Sequence, residues 1–307
     1  MTGPAAPAPT PRAPLAATGL VALAACCFGS ISTLTLVGLG TGASLPALIS
    51  WRYAIAAPLL FGLAGRAAFR QGAGTTIRLI VLGGGGQAIV TACTLMALRW
   101  IPAATEAFLF YTFPAWVAII AAVRGTERLT RDRVIALVLS LAGIAVMVGT
   151  PGAGALAPAG VALVFTAAIV YALYIPLIDG LRHRTSATIA SAWLSTGAAI
   201  AFTTWGAVDG SLFVPLTARG WAVALTLAVL STVVAFSLLL KGLATLGPVR
   251  TAIVATVEPF WTVVLAALWL GQPVTVPVVI GGALIAAAVL LLQRQPEMDA
   301  EDAVPGT

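Results

Sequence analysis

The chain has 307 residues, of which 60% are hydrophobic and only 8% are charged. A soluble domain carries about a quarter charged residues, so this composition excludes a soluble enzyme, a nucleic-acid-binding domain and a disordered scaffold. The net charge of +6 sits in short gaps between apolar runs, which is the pattern of membrane topology. The first 14 residues hold five prolines and are expected to form a disordered tail. A bilayer core about 30 Å thick needs about 20 apolar residues per helix. Ten such runs follow in order, near 15–37, 45–64, 78–98, 101–122, 133–149, 159–178, 187–206, 219–240, 248–270 and 274–292. The first is long for the apolar part of a secretion signal and is expected to be retained. Links such as Gly38–Gly42, Thr150–Gly154 and Gly271–Pro273 carry turn residues. Residues 293–307 form an acidic tail, expected to be disordered.

The basic residues set a direction. With the N-terminus in the cytoplasm, the inner links hold Arg66, Arg70, Arg78, Arg124, Arg128, Arg131, Arg133, Arg182, Arg184 and Lys241, and the tails add Arg12 and Arg294. The outer links hold only Arg99 and Arg219. Positively charged links remain inside, so both termini are expected to be cytoplasmic. The two halves also echo each other. Pro114-Ala-Trp116 in span four recurs as Pro259-Phe-Trp261 in span nine, and the same offset of 145 pairs Glu127 with Gln272. Phe28-Gly29-Ser30 in span one stands where Tyr171-Ala172-Leu173 stands in span six. Five spans is an odd number, so the second copy must enter the membrane from the opposite side, as in secondary transporters. The predicted fold is an all-α integral membrane protein of ten transmembrane helices in two inverted five-helix repeats, residues 15–149 and 157–292.

At this point the residues resemble a known family, the EamA-type members of the drug/metabolite transporter superfamily. The matching stretches are Arg52, the run Leu95–Glu106 into Pro114, the segment Arg250–Pro259, and Trp269-Leu-Gly-Gln272. The likeness covers about residues 15–292. The family often closes this last helix with Gly-Glu, whereas Gly271 is followed here by Gln272. The resemblance implies a secondary transporter that exports small metabolites, amino acids among them, across the cytoplasmic membrane.

Charge inside the spans is the most informative local signal. An ionised group near a helix centre costs about 2.5–3.5 kcal/mol on insertion scales, so it calls for a partner or a water-filled cavity. Arg52, Glu106 and Glu258 qualify, while Arg250 lies near a span end and can snorkel. Arg52 and Glu106 lie at similar depth with opposite sign, so they are expected to pair, either as a structural ion pair or as an outer gate. Glu258 stands near mid-span with Pro259 behind it, where the helix is expected to bend and free a backbone carbonyl. It is expected to be a protonation site or the acceptor for a substrate amine, or else a structural bond to a neighbouring helix. Thr251, Ala255, Glu258 and Thr262 fall on one helical face. Pro114 and Pro259 are candidate hinges.

Polar stripes select further pathway residues. Span three carries Gly83, Gln87, Thr91 and Thr94 on one face, with a run of glycines, Gly83–Gly86, that permits close approach. Spans one and six add Ser30, Thr166, Tyr171 and Tyr174, and Trp116 and Trp261 either stack on an apolar substrate or fill the bundle. Spans five and ten are nearly all aliphatic and are expected at the periphery, where a homodimer would form if the protein is not monomeric. No cofactor and no metal is expected, because the only histidine, His183, belongs to a link and no nucleotide-binding Gly-Lys motif exists. An intramembrane hydrolase would need a nucleophile and base at membrane depth, and a channel would need rings of charge. The expected partners are therefore a small-molecule substrate and the lipid bilayer.

Overall fold

The computed structural model describes residues 12–125, 130–149, 156–181 and 184–293. Expectations for residues 1–11 and 294–307, and for Glu127, Arg128, Arg182 and His183, concern segments outside the described residues. Within them the chain is helical and contains no strand. The helices are α1 (Arg12–Gly29), α2 (Ile31–Leu39), α3 (Leu45–Ala64), α4 (Ala73–Leu82), α5 (Ala88–Ala97), α6 (Ala103–Phe110) and α7 (Phe113–Val123). They continue as α8 (Arg131–Gly149), α9 (Pro158–Asp179), α10 (Ala187–Val208), α11 (Ala218–Ala228), α12 (Ala235–Ala255), α13 (Val257–Leu270) and α14 (Val276–Gln293). The first helix starts at Arg12, inside the stretch expected to be tail. Pro14 lies in its first turn, where a missing N–H leaves nothing unpaired.

Seven segments are long and apolar enough to cross a membrane, and the shorter apolar helix Val276–Leu292 follows them. The other two of the ten expected spans are helical but fall short of that standard. Arg131, Asp132 and Arg133 open α8, and α10 is diluted by Ser191, Ser195, Thr196, Thr203 and Thr204. Polarity is distributed inside out. Leu63, Val138, Leu177 and Leu268 are exposed, while Arg52, Glu106, Thr112, Ser231 and Thr262 are buried. Burial of polar groups beneath an aliphatic exterior suits a hydrocarbon solvent.

Helix pairing reproduces the repeat. The largest contacts join α3 to α10, α8 to α14, α1 to α12, and α5 to α9. Exchanging the two copies maps the first two pairs onto themselves and the last two onto each other. Equivalent helices also run antiparallel. Tyr53 stacks on Phe202 while Phe61, two turns later, meets Trp193, earlier in α10. Ala103 reaches Gln272 while Phe108 reaches Phe260. Local structure repeats as well: Ser44 and Ser186 cap the starts of α3 and α10 by accepting from Ala47 N and Ile189 N, each cap contributing about 1 kcal/mol. Wide π-helical turns interrupt the third and eighth spans, at Gly83–Gln87 and Val229–Val234.

Glycine allows two of these crossings. A Cβ on Gly83 would collide with the Leu194 backbone, and one on Gly197 with the carbonyl of Ile80, so α10 lies directly on the glycine-rich turn. The same run admits the Tyr174 ring at Gly86. Gly247, with a φ of 75° and a ψ of 170°, breaks α12 into two helices, so the eighth span continues to Gly247, past the expected end near 240, before the ninth begins.

Candidate functional site

Two helix breaks face each other at the centre of the bundle. The fourth span breaks at Tyr111 and Thr112, just before Pro114, and the ninth breaks at Thr256, just before Pro259. Proline has no N–H for the carbonyl four residues back, which is Phe110 in one span and Ala255 in the other. Thr112 and Thr256 each turn their hydroxyl onto the carbonyl three residues back, Leu109 at 2.7 Å and Ile253 at 2.6 Å. Both prolines thus stand beside a break, and the expected freed carbonyl is present at Ala255. It is met by the Tyr111 hydroxyl at 3.0 Å, which also lies 2.8 Å from Glu258 Oε2. Tyr111 was not among the residues picked out from the sequence. Its signal is positional: it stands three residues before one repeat proline, as Thr256 stands before the other.

Glu258 has no cation beside it among the described residues. Thr262, one turn further along α13, donates to Gly29 O at 2.9 Å where α1 gives way to α2. Glu258 and Thr262 are therefore together. Thr251 is not with them, because the break at Thr256 intervenes and its hydroxyl turns to Gly247 O at 2.7 Å. Ser30 sits at the α1–α2 break, where its hydroxyl donates to Cys27 O at 2.6 Å. A hydroxyl has one hydrogen, so in the 2.8 Å contact with Ser231 it is Ser231 that donates.

The expected ion pair does not form. Arg52 Nε donates to Thr232 Oγ1 at 3.0 Å, whose own hydrogen goes to Leu227 O at 3.0 Å. Glu106 Oε2 accepts from Ser32 Oγ at 2.8 Å, across the first and fourth spans. Each side chain is instead met by a hydroxyl from a different element, Arg52 by Thr232 in the π-helical turn of the eighth span and Glu106 by Ser32 in α2.

On the Arg52 side, the guanidinium lies 5.1 Å from the Tyr53 ring centroid. Tyr53 and Thr91 hydroxyls are 3.0 Å apart, and Gln87 Nε2 donates to both, at 3.4 and 3.3 Å. Gln87 and Thr91 are thus united as expected from their spacing, with Tyr53 as an unforeseen third member. A second cluster is aromatic. Tyr171 packs on Phe110, Phe113 and Tyr174, with centroids 5.3, 4.8 and 6.0 Å away. Trp116 meets Phe165 at 6.3 Å, and Trp261 is half-buried on α13. Gln272, which replaces the family's common acid, accepts from Ala103 N at 3.1 Å. The amide oxygen alone is enough to satisfy that first-turn N–H of α6. A cavity of about 110 Å³ lies away from these residues, between Thr41, Ser44, Ser211 and Thr217.

The EamA-like transporter family model matches residues 16–149 and again 158–294. A solved crystal structure, one of fifteen matching chains, aligns with a TM-score of 0.61 at 21% identity, covering 90% of this chain and 96% of that one. That likeness shows a shared fold. No curated protein matches the sequence. With two family units, helix breaks at equivalent prolines and polar groups turned away from an aliphatic exterior, the chain is a multi-pass membrane protein and belongs to the EamA-like transporter family of the drug/metabolite transporter superfamily.

Proposed function

We propose that the protein is a secondary transporter that exports small metabolites, amino acids or similar zwitterionic and amphipathic compounds, by alternating access. It would cross the cytoplasmic membrane ten times in two inverted repeats, with both termini inside, and act without enzymatic chemistry or a cofactor. Lipid and a small-molecule substrate are its partners, as a monomer or as a homodimer through the fifth and tenth spans. The same architecture would serve an importer or facilitator, since gradients rather than helices set direction.

The observation that carries this reading is the junction of Tyr111, Ala255 and Glu258. One phenolic hydrogen faces two acceptors, at 3.0 and 2.8 Å. When Glu258 carries a proton and donates it to the Tyr111 oxygen, the phenolic hydrogen is free for Ala255; otherwise the two acceptors share or compete for it. An ionised Glu258, the stronger acceptor, draws the phenolic hydrogen toward itself and weakens the bond to the Ala255 carbonyl. Protonation of one carboxyl thereby alters the tie between the two helix breaks, which is what coupling a proton to rocking of the repeats requires. A carboxyl with no neighbouring cation is also a natural acceptor for a substrate ammonium.

Counterflow in reconstituted vesicles, with amino acids and small organic amines at two pH values, tests the reading. Exchange of at least one amino acid, faster at one pH than the other, is the expected result. Vesicles that exchange no member of the panel at either pH would refute it.

A further inference from the structure

We propose that Arg52 is the carboxylate-binding point of the transported molecule, with Tyr174 as a second donor. This rests on the transporter reading above and adds the end of the substrate that Glu258 does not hold. Arg52 is 5% exposed. It spends Nε on Thr232, and among the described residues its four terminal N–H groups meet no acceptor and no acid. A guanidinium does not lose its proton, so neutralisation by deprotonation is not open to it. A buried charge without a counter-charge is costly. The two nitrogens at its tip form a planar fork that matches the two oxygens of a carboxylate.

An independent observation lies on the other side of Tyr53. The Tyr174 hydroxyl is buried and has no hydrogen-bond partner, and its ring packs on Gly86, next to Gln87, whose amide donates to the Tyr53 hydroxyl. Tyr53 and Gln87 thus connect two sets of unmatched donors, the guanidinium over the Tyr53 ring and the phenol of α9 packed beside Gln87. Both sets lack acceptors, which is what a carboxylate brings. Charge count narrows the ligand further. One cation balances one negative charge, whereas a phosphate ester would call for several. The cation is held by Thr232 and Tyr53, and the carboxyls Glu106 and Glu258 are held elsewhere, by Ser32 and Tyr111, so the two charges of a zwitterion find separate groups.

The test compares wild type, R52Q and R52K in counterflow, using each amino acid beside its carboxamide and its decarboxylated amine. Wild type is expected to favour the amino acid. R52Q is expected to lose at least about tenfold in amino-acid exchange, as a charged hydrogen bond implies, while the amine analogues continue at their former rate. R52K, with the charge but without the fork, is expected to fall between. Equal loss of amino acid and amine in R52Q, or an unchanged preference, overturns the proposal. A second measurement needs no transport. Propionate and N-acetyl amino acids are expected to raise the unfolding temperature of the purified wild type but not that of R52Q. Equal stabilisation of both, or stabilisation of neither, overturns the carboxylate site. A wild type that exchanges nothing yet shows the Arg52-dependent stabilisation would sink the transport reading alone.

Discussion

Single side chains at the centre of this protein are read through the number of hydrogens they own. Tyr111 has one hydrogen for two acceptors, so its neighbour's protonation sets the strength of each bond. Two predictions follow at this scale. Glu258→Gln keeps the size and a permanent donor amide while removing titration, so counterflow in that variant is expected to be flat with pH; a pH profile like that of wild type would remove Glu258 from coupling. Tyr111→Phe leaves the Ala255 carbonyl without its partner, and is expected to lower stability by about 1–3 kcal/mol, measured by thermal unfolding in detergent. The carboxyl at position 258 was legible in the sequence because charge in an apolar run is conspicuous. Tyr111 was not, since a tyrosine is an ordinary residue in a membrane helix. Its role arises only where a helix break from the other repeat comes within 3.0 Å.

The helices supply the next level. Proline at equivalent places in the fourth and ninth spans interrupts both, and the freed carbonyl at Ala255 is closed by a side chain from the other repeat. Pro259→Ala restores an N–H that competes with Tyr111 for that carbonyl. The cost of Tyr111→Phe is therefore expected to shrink in the Pro259→Ala background, a coupling measurable by a double-mutant cycle; simple additivity would show that proline and tyrosine act separately. Glycines in the third and seventh spans set how near the helices lie. Gly197→Ala forces α10 away from the Ile80 carbonyl and is expected to cost about 1–3 kcal/mol as overpacking does. Gly62→Ala, with open space around it, is expected to be neutral or stabilising. Equal melting temperatures for the two variants would contradict the close crossing. The sequence announced this closeness through Gly83–Gly86, yet both a helix and a tyrosine ring use the run, and no spacing rule divides it between them.

For the molecule as a whole, the pseudo-twofold pairing makes each repeat complete the other. The first span rests on the eighth, the third on the sixth, and the contact between Ser30 and Ser231 at 2.8 Å crosses that boundary. Cysteines at both positions, in a chain freed of Cys26, Cys27 and Cys93, are expected to join under oxidation and halt counterflow, with recovery on reduction. Full transport through the cross-linked protein would show that the repeats do not move against each other there. The copies share a backbone plan but not a chemistry. Around the first-span break the contacts are hydroxyls and carboxyls, whereas the sixth span offers tyrosine and phenylalanine.

By itself the sequence determined the solvent, the helices and the repetition, because each depends on residues near one another along the chain. Hydropathy over some twenty positions marks a span, proline removes a local hydrogen bond, and an offset of 145 is visible by inspection. Tertiary structure alone decided which charges meet. Arg52 and Glu106 look paired when only depth is known, yet helix rotation about its own axis, set by packing against neighbours, turns one to Thr232 and the other to Ser32. Rotation is a property of the assembled bundle, and no count along the chain contains it.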